Sequence, residues 1–214
     1  MCIRDSLDGG QKEGIRIETD KSISAGDSCN TSLITMPVHA GTHVDAPRHF
    51  LDGGTAIDGI PADRWVFSHP VVLNVDVSPG QLIQPDDIET QVPDNADICL
   101  FRTGFEKLRP TDTYWERGPG IAPETAEFLQ ARCPDLRAIG MDFISISSLV
   151  HRDTGRQAHR AFLEKGILII EDMKLGELGD GPLLAEVICL PLRFVNGDGA
   201  PCTVLGILDA KMEG

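Results

Sequence analysis

The segment from His39 to Phe50, HAGTHVDAPRHF, contains three of the chain's six histidines and an aspartate. Glycine and proline at positions 41 and 47 oppose a helix. Side chains alternate along an extended chain, so His39, His43 and Asp45 are predicted to share one face. Two nitrogen donors and one oxygen donor that converge in this way favour a first-row metal ion, and we expect Zn²⁺ or Mn²⁺. This segment therefore favours an extended chain over a helix.

A set of only three protein ligands leaves coordination positions open to water, which is typical of catalytic rather than structural metal sites. Pro47 turns the chain, so that His49 is predicted to return toward the metal as a proton carrier and not as a ligand. The alternative is a polar turn in which the histidines merely pack and form hydrogen bonds. Three histidines and an aspartate in a two-residue register favour the metal site.

A second pair of candidate ligands follows in the C-terminal half. His159 lies on a predicted helix, and Glu171 follows the apolar strand GILII. A helix, a glycine turn and a strand in succession could bring the two side chains together at the end of the strand. Spacing alone leaves the simpler alternatives open, in which His159 is a surface helix residue and Glu171 a charge at a strand end.

The composition limits the class of protein. The chain has 214 residues, which corresponds to one domain or barely two, with 41% hydrophobic and 24% charged residues. A net charge of −14 without a basic cluster argues against nucleic acid and anionic membrane surfaces as partners. No apolar stretch approaches the ~20 residues of a membrane span. The six cysteines form no CxxC pair, and we expect them to be reduced in a cytoplasmic protein.

Strand-like and helix-like segments alternate along the chain. The strand-like segments are rich in Val and Ile, and several are continuously apolar, which predicts strands covered on both faces. They span residues 32–39, 69–77, 96–103, 136–146, 166–173, 184–194 and 203–208, and the helical patterns span residues 85–92, 122–133 and 153–166. This arrangement predicts a compact α/β protein.

The histidine segment resembles the HxGTHxDxPxHF signature of the cyclase family of metal-dependent hydrolases. Four further segments are similar to less specific motifs of that family, and the resemblance extends from about residue 30 to the end. These segments are FLDGGTAIDGIP (50–61), LFRTGF (100–105), AIGMDFISI (138–146) and NGDGAP (196–201).

The resemblance implies a role for each matching residue. His39, His43 and Asp45 match the metal ligands, and His49 matches the catalytic histidine. His159 and Glu171 match the pair that completes a two-metal site, so one or two Zn²⁺ or Mn²⁺ ions are expected in each chain. The implied fold is a swivelling β/β/α domain with a β-barrel-like mixed sheet core and a few peripheral helices, assembled as a homodimer or larger homo-oligomer.

Two departures from the family pattern stand out. The usual N-terminal strand and the Pro-Gly-Asp loop after it are not recognisable, so we expect residues 1–30 to be a truncated or flexible N-terminus. A single hydrolase domain is expected over residues 31–214. In addition, EDMKL (171–175) replaces the more usual E-G-L-x-L, which puts an aspartate where the family motif has glycine.

The activity implied is that of a metal-dependent amidohydrolase. Metal-activated water would cleave the non-peptide C–N bond of a small carbonyl compound. The first expectation is an arylformamidase that acts on N-formylkynurenine in tryptophan catabolism. The alternatives are an isatin-type lactam or ester hydrolase, a non-catalytic metal-binding protein and a metal-dependent lyase. Phe50, Trp65 and Phe105 either line the substrate pocket or belong to the core, and their spacing does not decide between these.

Overall fold

The computed structural model describes residues 14–178 and 184–209. The strands in these ranges are β1 Arg16–Lys21, β2 Thr31–Thr35, β3 His43–Asp45, β4 Val66–Phe67, β5 Pro70–Asn74, β6 Leu82–Ile83, β7 Ile98–Arg102, β8 Gly120–Ile121, β9 Ala138–Met141, β10 Leu168–Glu171, β11 Leu184–Pro191 and β12 Gly199–Leu208. The α-helices are α1 Asp112–Glu116, α2 Glu124–Arg132 and α3 Arg152–Glu164.

An eight-stranded mixed sheet forms the centre of the fold, in the order β4-β11-β12-β3-β10-β9-β7-β5. Strands β5, β7, β9 and β10 run parallel, as strands joined by helical crossovers do. Strands β10, β3, β12, β11 and β4 pair antiparallel. Strand β5 at one edge also packs against β11, so the sheet nearly closes on itself. The predicted α/β fold with a barrel-like mixed sheet is confirmed.

The central strands are buried on both faces, as their continuous apolar sequences predict. In β7, Ile98 and Leu100 pack into a hydrophobic cluster on the inner face of the curved sheet, and this cluster also contains Trp65. Cys99 and Phe101 point to the other face and into the cluster beneath α2 and α3. Alternate side chains of one strand thus belong to two different cores, which is why no polar position interrupts it.

Helix α3 covers the face of the sheet that carries the candidate site. Its buried residues recur at the spacing of a single helix face: Gly155, Ala158, His159, Phe162 and Leu163. Gly155 permits a close approach to the preceding loop, because an added Cβ would lie 2.2 Å from Ser147 Oγ. Gly166, with φ of 73°, ends the helical segment as the sequence predicts.

Among the described residues, no helix combines the length and apolar character needed to cross a membrane.

A two-stranded ribbon precedes the sheet. Strand β1 pairs antiparallel with β2, and every residue of both strands is exposed. The sequence RIETDK gives no strand signal because neither of its faces is buried against a core. Arg16–Lys21 thus forms a strand within the segment that was expected to be truncated or flexible, and residues 1–13 lie outside the described part of the chain.

The predicted helix over residues 85–92 is wrong. Only one 3-10 turn forms, at Pro85–Asp87, where the side chains of Gln84 and Asp87 cap each other's backbone amides. The chain leaves helical geometry at Ile88, with φ of −127°. The segment contains too few apolar residues at helical spacing to bury a longer helix against the core.

Candidate metal centre

Strand β3 brings two of the predicted ligands into the middle of the sheet. It lies between β10 and β12, and His43 stands opposite Glu171 of β10. Alternation places His43 and Asp45 on the face covered by α3, whereas Val44 points into the core inside the sheet. Both ligand candidates are buried, with 4% and 1% of their surfaces exposed.

His39 reaches the same place by a different route from the one predicted. It does not share a strand with His43, because Gly41 adopts φ of 69° and the strand begins only at His43. The left-handed glycine folds a turn, and this turn carries the His39 ring back over β3. The rings of His39 and His43 meet edge to face, with centroids 5.1 Å apart.

Asp45 is the centre of the cluster. Its Oδ1 lies 2.8 Å from His39 Nδ1 and 3.6 Å from His43 Nε2. Its Oδ2 lies 3.5 Å from Nε2 of His159 on α3. Glu171 closes the group, since its Oε2 lies 3.4 Å from His43 Nε2 and its Oε1 lies 3.4 Å from His159 Nε2. The five predicted ligands therefore converge, with one carboxylate oxygen of Asp45 facing each half of the cluster.

Hydrogen bonds outside the cluster orient its imidazoles. The carbonyl of Gly41 accepts a hydrogen bond from His43 Nδ1 at 2.7 Å, and the carbonyl of Gly155 accepts one from His159 Nδ1 at 2.9 Å. A carbonyl can only accept, so each Nδ1 carries a proton, and in the neutral imidazole each Nε2 lone pair points into the cluster. Such fixed tautomers are typical of metal-ligating histidines. Glu171 Oε1 is held by the Ser145 hydroxyl and the Ile146 amide.

The donor set fits a divalent cation. Asp45 Oδ2 is buried without a hydrogen-bond partner, which is costly for a carboxylate oxygen unless a cation or another donor compensates. Donor atoms of His39, His43 and Asp45 lie within 4.8 Å of one another, as do donor atoms of Asp45, His49 and His159. Imidazole nitrogens and carboxylate oxygens suit first-row divalent ions.

The charges of the metal-free cluster balance through protons. Burial lowers the pKa of His43, but Glu171 and Asp45 outweigh it and raise the pKa to about 9. Burial likewise opposes the charged form of His159, and Asp45 and Glu171 raise its pKa to about 10. Burial and Asp45 favour protonation of Glu171, but His159 and His43 lower its pKa to about 2. A bound cation would replace protons on these imidazoles.

His49 sits at the mouth of the cluster. It ends the 3-10 turn Pro47–His49, and its ring stacks on His39 with centroids 3.9 Å apart. Burial lowers the pKa of His49, and the nearby Asp45 does not offset this effect. The side chain is 28% exposed, so it can exchange protons with solvent. This placement suits the predicted proton carrier.

A cavity of about 320 Å³ opens beside these side chains. It is lined by His39, Gly41, His43, His49, Phe50, Ile144, Ser145, Ser147, His159, Glu171 and Asp172. Phe50 stacks on His159, with centroids 4.2 Å apart, and so belongs to the pocket. Trp65 and Phe105 are buried in the two cores and do not line it. The alternatives left open for the three aromatic residues are thus resolved.

Two features near the cluster were not found from sequence. Asp198, in the NGDGAP segment, accepts hydrogen bonds from both His39 and His49. Asp172, with φ of 55°, is bonded to Arg109 and Tyr114. The NGDGAP motif drew attention to the segment that contains Asp198 but assigned that residue no role. Asp172 was visible in the sequence only as the aspartate that replaces a glycine of the family motif in EDMKL.

The chain is similar to several known proteins. The Cyclase family model matches residues 12–148. A kynurenine formamidase of Bacillus cereus is 30% identical over 184 residues, which cover 86% of this chain and 83% of the relative. A solved structure of a potential metal-dependent hydrolase with cyclase activity aligns with a TM-score of 0.71 at 26% identity, over 94% of this chain and 90% of the other. Isatin hydrolase A from Labrenzia aggregata, bound to benzyl benzoate, aligns with a TM-score of 0.73 at 26% identity, over 91% and 83%.

Proposed function

The chain belongs to the cyclase family, and from that premise we propose that it is a metal-dependent hydrolase of small amides, of the arylformamidase type. The catalytic domain that we propose spans residues 31–214. One observation carries the proposal: the buried Asp45 lies between two sets of candidate ligands, and its Oδ2 has no hydrogen-bond partner. A cluster of this kind at the edge of an open cavity suits catalysis better than structural metal binding.

Two divalent ions are proposed for the cluster, Zn²⁺ or Mn²⁺. His39, His43 and Asp45 would hold the first ion, and His159 and Glu171 would hold the second together with Asp45. The ions supply Lewis-acid chemistry, which acidifies water and polarises a carbonyl group.

The protein's own groups supply positioning and proton transfer. His49 accepts a proton from water and returns it to the leaving nitrogen, a role worth roughly 10²–10⁴-fold in rate. Its lowered pKa keeps the imidazole neutral near pH 7, so that a ring nitrogen is available to accept a proton. The Ser145 hydroxyl and the Ile146 amide hold Glu171 Oε1, so the carboxylate stays aimed at the cluster.

N-formyl-L-kynurenine is the first substrate that we propose. The kynurenine formamidase of B. cereus supports it, as does a cavity of about 320 Å³, which suits a small molecule. Phe50 and Ile144 give that cavity apolar walls for an aromatic ring. Isatin, whose ring amide is also an aryl amide, is the second candidate, because isatin hydrolase A shares the fold at 26% identity.

The decisive experiment uses purified protein that has been stripped of metal and reloaded with Zn²⁺ or Mn²⁺. N-formyl-L-kynurenine and isatin are offered separately, and products are identified by mass. We expect metal-dependent release of kynurenine and formate. Turnover of isatin alone would move the assignment to lactam hydrolysis. A product without added water would indicate a lyase, and no turnover in a folded, loaded protein would leave metal binding without catalysis.

A homodimer or larger homo-oligomer in the cytoplasm is the assembly that we propose. The ribbon exposes Ile17, Leu33 and Ile34, each more than half accessible, and a lone two-stranded ribbon is marginally stable in water. A second subunit that covered these side chains would remove them from solvent. Light scattering at micromolar concentration tests the dimer.

The cytoplasmic location is proposed on separate grounds. The five cysteines among the described residues are unpaired, which suits a reducing compartment.

A further inference from the structure

Asp198 occupies a position that is fixed from both sides. It immediately precedes β12, and its carbonyl accepts a hydrogen bond from the Ala46 amide at 2.9 Å. The next residue, Gly199, pairs with Asp45 across the sheet. A Cβ at Gly199 would lie 2.5 Å from His39 Cε1 and 2.8 Å from the Val44 carbonyl, so only glycine allows this approach. The backbone thus presents the Asp198 carboxylate to the histidine cluster.

A single oxygen of Asp198 contacts two imidazoles. Its Oδ2 lies 2.9 Å from His39 Nε2 and 3.2 Å from His49 Nδ1. The two rings stack on each other, and both nitrogens face this same oxygen. Histidine residues 39 and 49 meet Asp198 across 159 and 149 positions of sequence, so no local turn imposes this contact.

The chemistry of the acceptor fixes the hydrogens. A carboxylate has no proton to donate, so both His39 Nε2 and His49 Nδ1 must carry one. In a neutral imidazole the other ring nitrogen then holds the lone pair. For His39 that nitrogen is Nδ1, which lies 2.8 Å from Asp45 Oδ1; it would offer its lone pair to a bound cation, and without one it also carries a proton and donates to Asp45. For His49 it is Nε2, the nitrogen left free to take up a proton.

We propose that Asp198 is a positioning residue of the active site, which sets the tautomer and ring orientation of His49 while it also supports His39. The inference rests on the proposed function, because it assigns His49 the proton transfer. Its geometry resembles the general arrangement in which a carboxylate holds the imidazole of a general base in one tautomer. The same carboxylate supports a metal-ligating histidine from outside the cluster.

The simplest alternative is a surface ion pair. The Asp198 side chain is 42% exposed, and exposed pairs contribute little to stability. A pair of that kind would leave both the tautomer and the turnover unaffected when it is removed. A second alternative is a metal ligand, since donor atoms of His39, His49 and Asp198 lie within 4.8 Å of one another. A ligand would be lost together with bound metal.

The test is the Asp198→Ala variant, examined as full-length zinc-loaded protein. The first readout is the tautomer of His49, from long-range ¹H–¹⁵N imidazole correlations at pH 8, with the signal assigned by its loss in His49→Ala. We expect a single Nδ1–H tautomer in the parent protein and a mixture in the variant. The second readout is kinetic: kcat should fall roughly 10–100-fold, with KM within about twofold and zinc content unchanged. Asp198→Asn, which keeps one acceptor oxygen, should recover part of kcat.

Asp58→Ala is the matched control. Asp58 accepts a hydrogen bond from the Asn196 amide at 3.1 Å and so anchors the same loop without touching a histidine. It should leave the tautomer and kcat near the parent values. An unchanged tautomer in Asp198→Ala would overturn the proposal, as would a loss of zinc in parallel with activity. A tautomer change in Asp198→Ala, in a protein whose parent form hydrolyses no amide, would reject the proposed function and leave the positioning role intact.

Discussion

Glu171 stands directly opposite His43 on the neighbouring antiparallel strand, and its Oε2 lies 3.4 Å from His43 Nε2. Its other oxygen, Oε1, faces His159 at 3.4 Å, so one side chain joins the sheet to helix α3. The β3–β10 register therefore links the histidine segment of the first fifty residues to ligands that lie more than a hundred residues later. Metal content should depend on these positions in a graded way.

Asp45→Asn should bind neither ion tightly, because Asp45 faces both halves of the cluster. Glu171→Gln should lose the second ion and keep the first, since His39, His43 and Asp45 remain. Metal analysis after dialysis against a weak chelator measures both. Equal retention in the two variants would contradict the central place assigned to Asp45.

His49→Ala should keep its metal and lose turnover. The ring lies beside the cluster without being needed as a ligand, so we expect kcat to fall roughly 10²–10⁴-fold. His151→Ala is the matched control, because His151 is an exposed histidine of a 3-10 turn outside the cluster. Metal loss in His49→Ala would make His49 a ligand and reject its role as a proton carrier.

The sequence predicts those parts of the site that depend on local geometry. Alternation along an extended chain placed His43 and Asp45 on one face, and this holds in β3. The same rule failed for His39, because a left-handed glycine turn at Gly41 brings it in from outside the strand. The convergence of His159 and Glu171 required the family resemblance, since it depends on how α3 packs on the sheet.

The role of Asp198 could not be predicted from the sequence for a different reason. Its contacts with His39 and His49 span most of the chain, and neither a period nor a spacing signals such a contact. Strand β1 was missed because hydrophobic patterning reports burial, and both faces of the ribbon are exposed. Sequence patterns therefore revealed the core and the first ligands, but not the groups that hold those ligands in place.

Loss of protons from the cluster should destabilise the metal-free protein above neutral pH. The pKa values of His43 and His159 rise from 6.5 to about 9 and about 10 on folding, with Glu171 and Asp45 outweighing burial. Their stabilisation is complete below pH 6.5 and is lost as the pH rises through 9 to 10. The pKa of Glu171 falls from 4.5 to about 2, so its contribution is lost only in acid.

Melting temperatures between pH 6.5 and 9.5 test this expectation, with chelator present in one series and zinc in the other. The metal-free protein should lose stability across this range, and the zinc-loaded protein should lose less because its ligand imidazoles are already neutral. Parallel curves for the two forms would show that the cluster histidines are not charged in the metal-free state.

Gly155→Ala should disturb the second half of the cluster. The new Cβ would lie 2.2 Å from Ser147 Oγ, so α3 must move, and His159 lies one turn further along it. We expect loss of one of two ions. Gly166→Ala is the control: its Cβ meets nothing within 4 Å, and the residue has φ of 73°. That variant should lose about 1 kcal/mol of stability and no metal.

Asp172 combines an unfavourable backbone conformation with a buried network. Its φ is 55°, a left-handed conformation that suits the glycine of the family's E-G-L-x-L motif better than an aspartate. Arg109 Nη2 donates to Asp172 Oδ1 at 2.6 Å, and the Tyr114 hydroxyl donates to the same oxygen. The network therefore offsets the strain of the backbone directly after Glu171.

Asp172→Ala keeps the left-handed backbone, removes the acceptor of the Tyr114 hydroxyl, and leaves Arg109 Nη2 only uncharged acceptors, the carbonyls of residues 172 and 173 and the Tyr114 hydroxyl, each at 3.3 Å. The largely buried guanidinium loses its counter-charge, so the variant should lose roughly 3 kcal/mol of unfolding free energy. Asp172→Gly removes the same acceptor but relieves the backbone, and it should be about 1 kcal/mol more stable than the alanine variant. Urea denaturation of the zinc-loaded proteins measures both differences. Equal stability of the two variants would show that position 172 carries no backbone strain, and parental stability in both would show that Arg109 and Tyr114 do not depend on it.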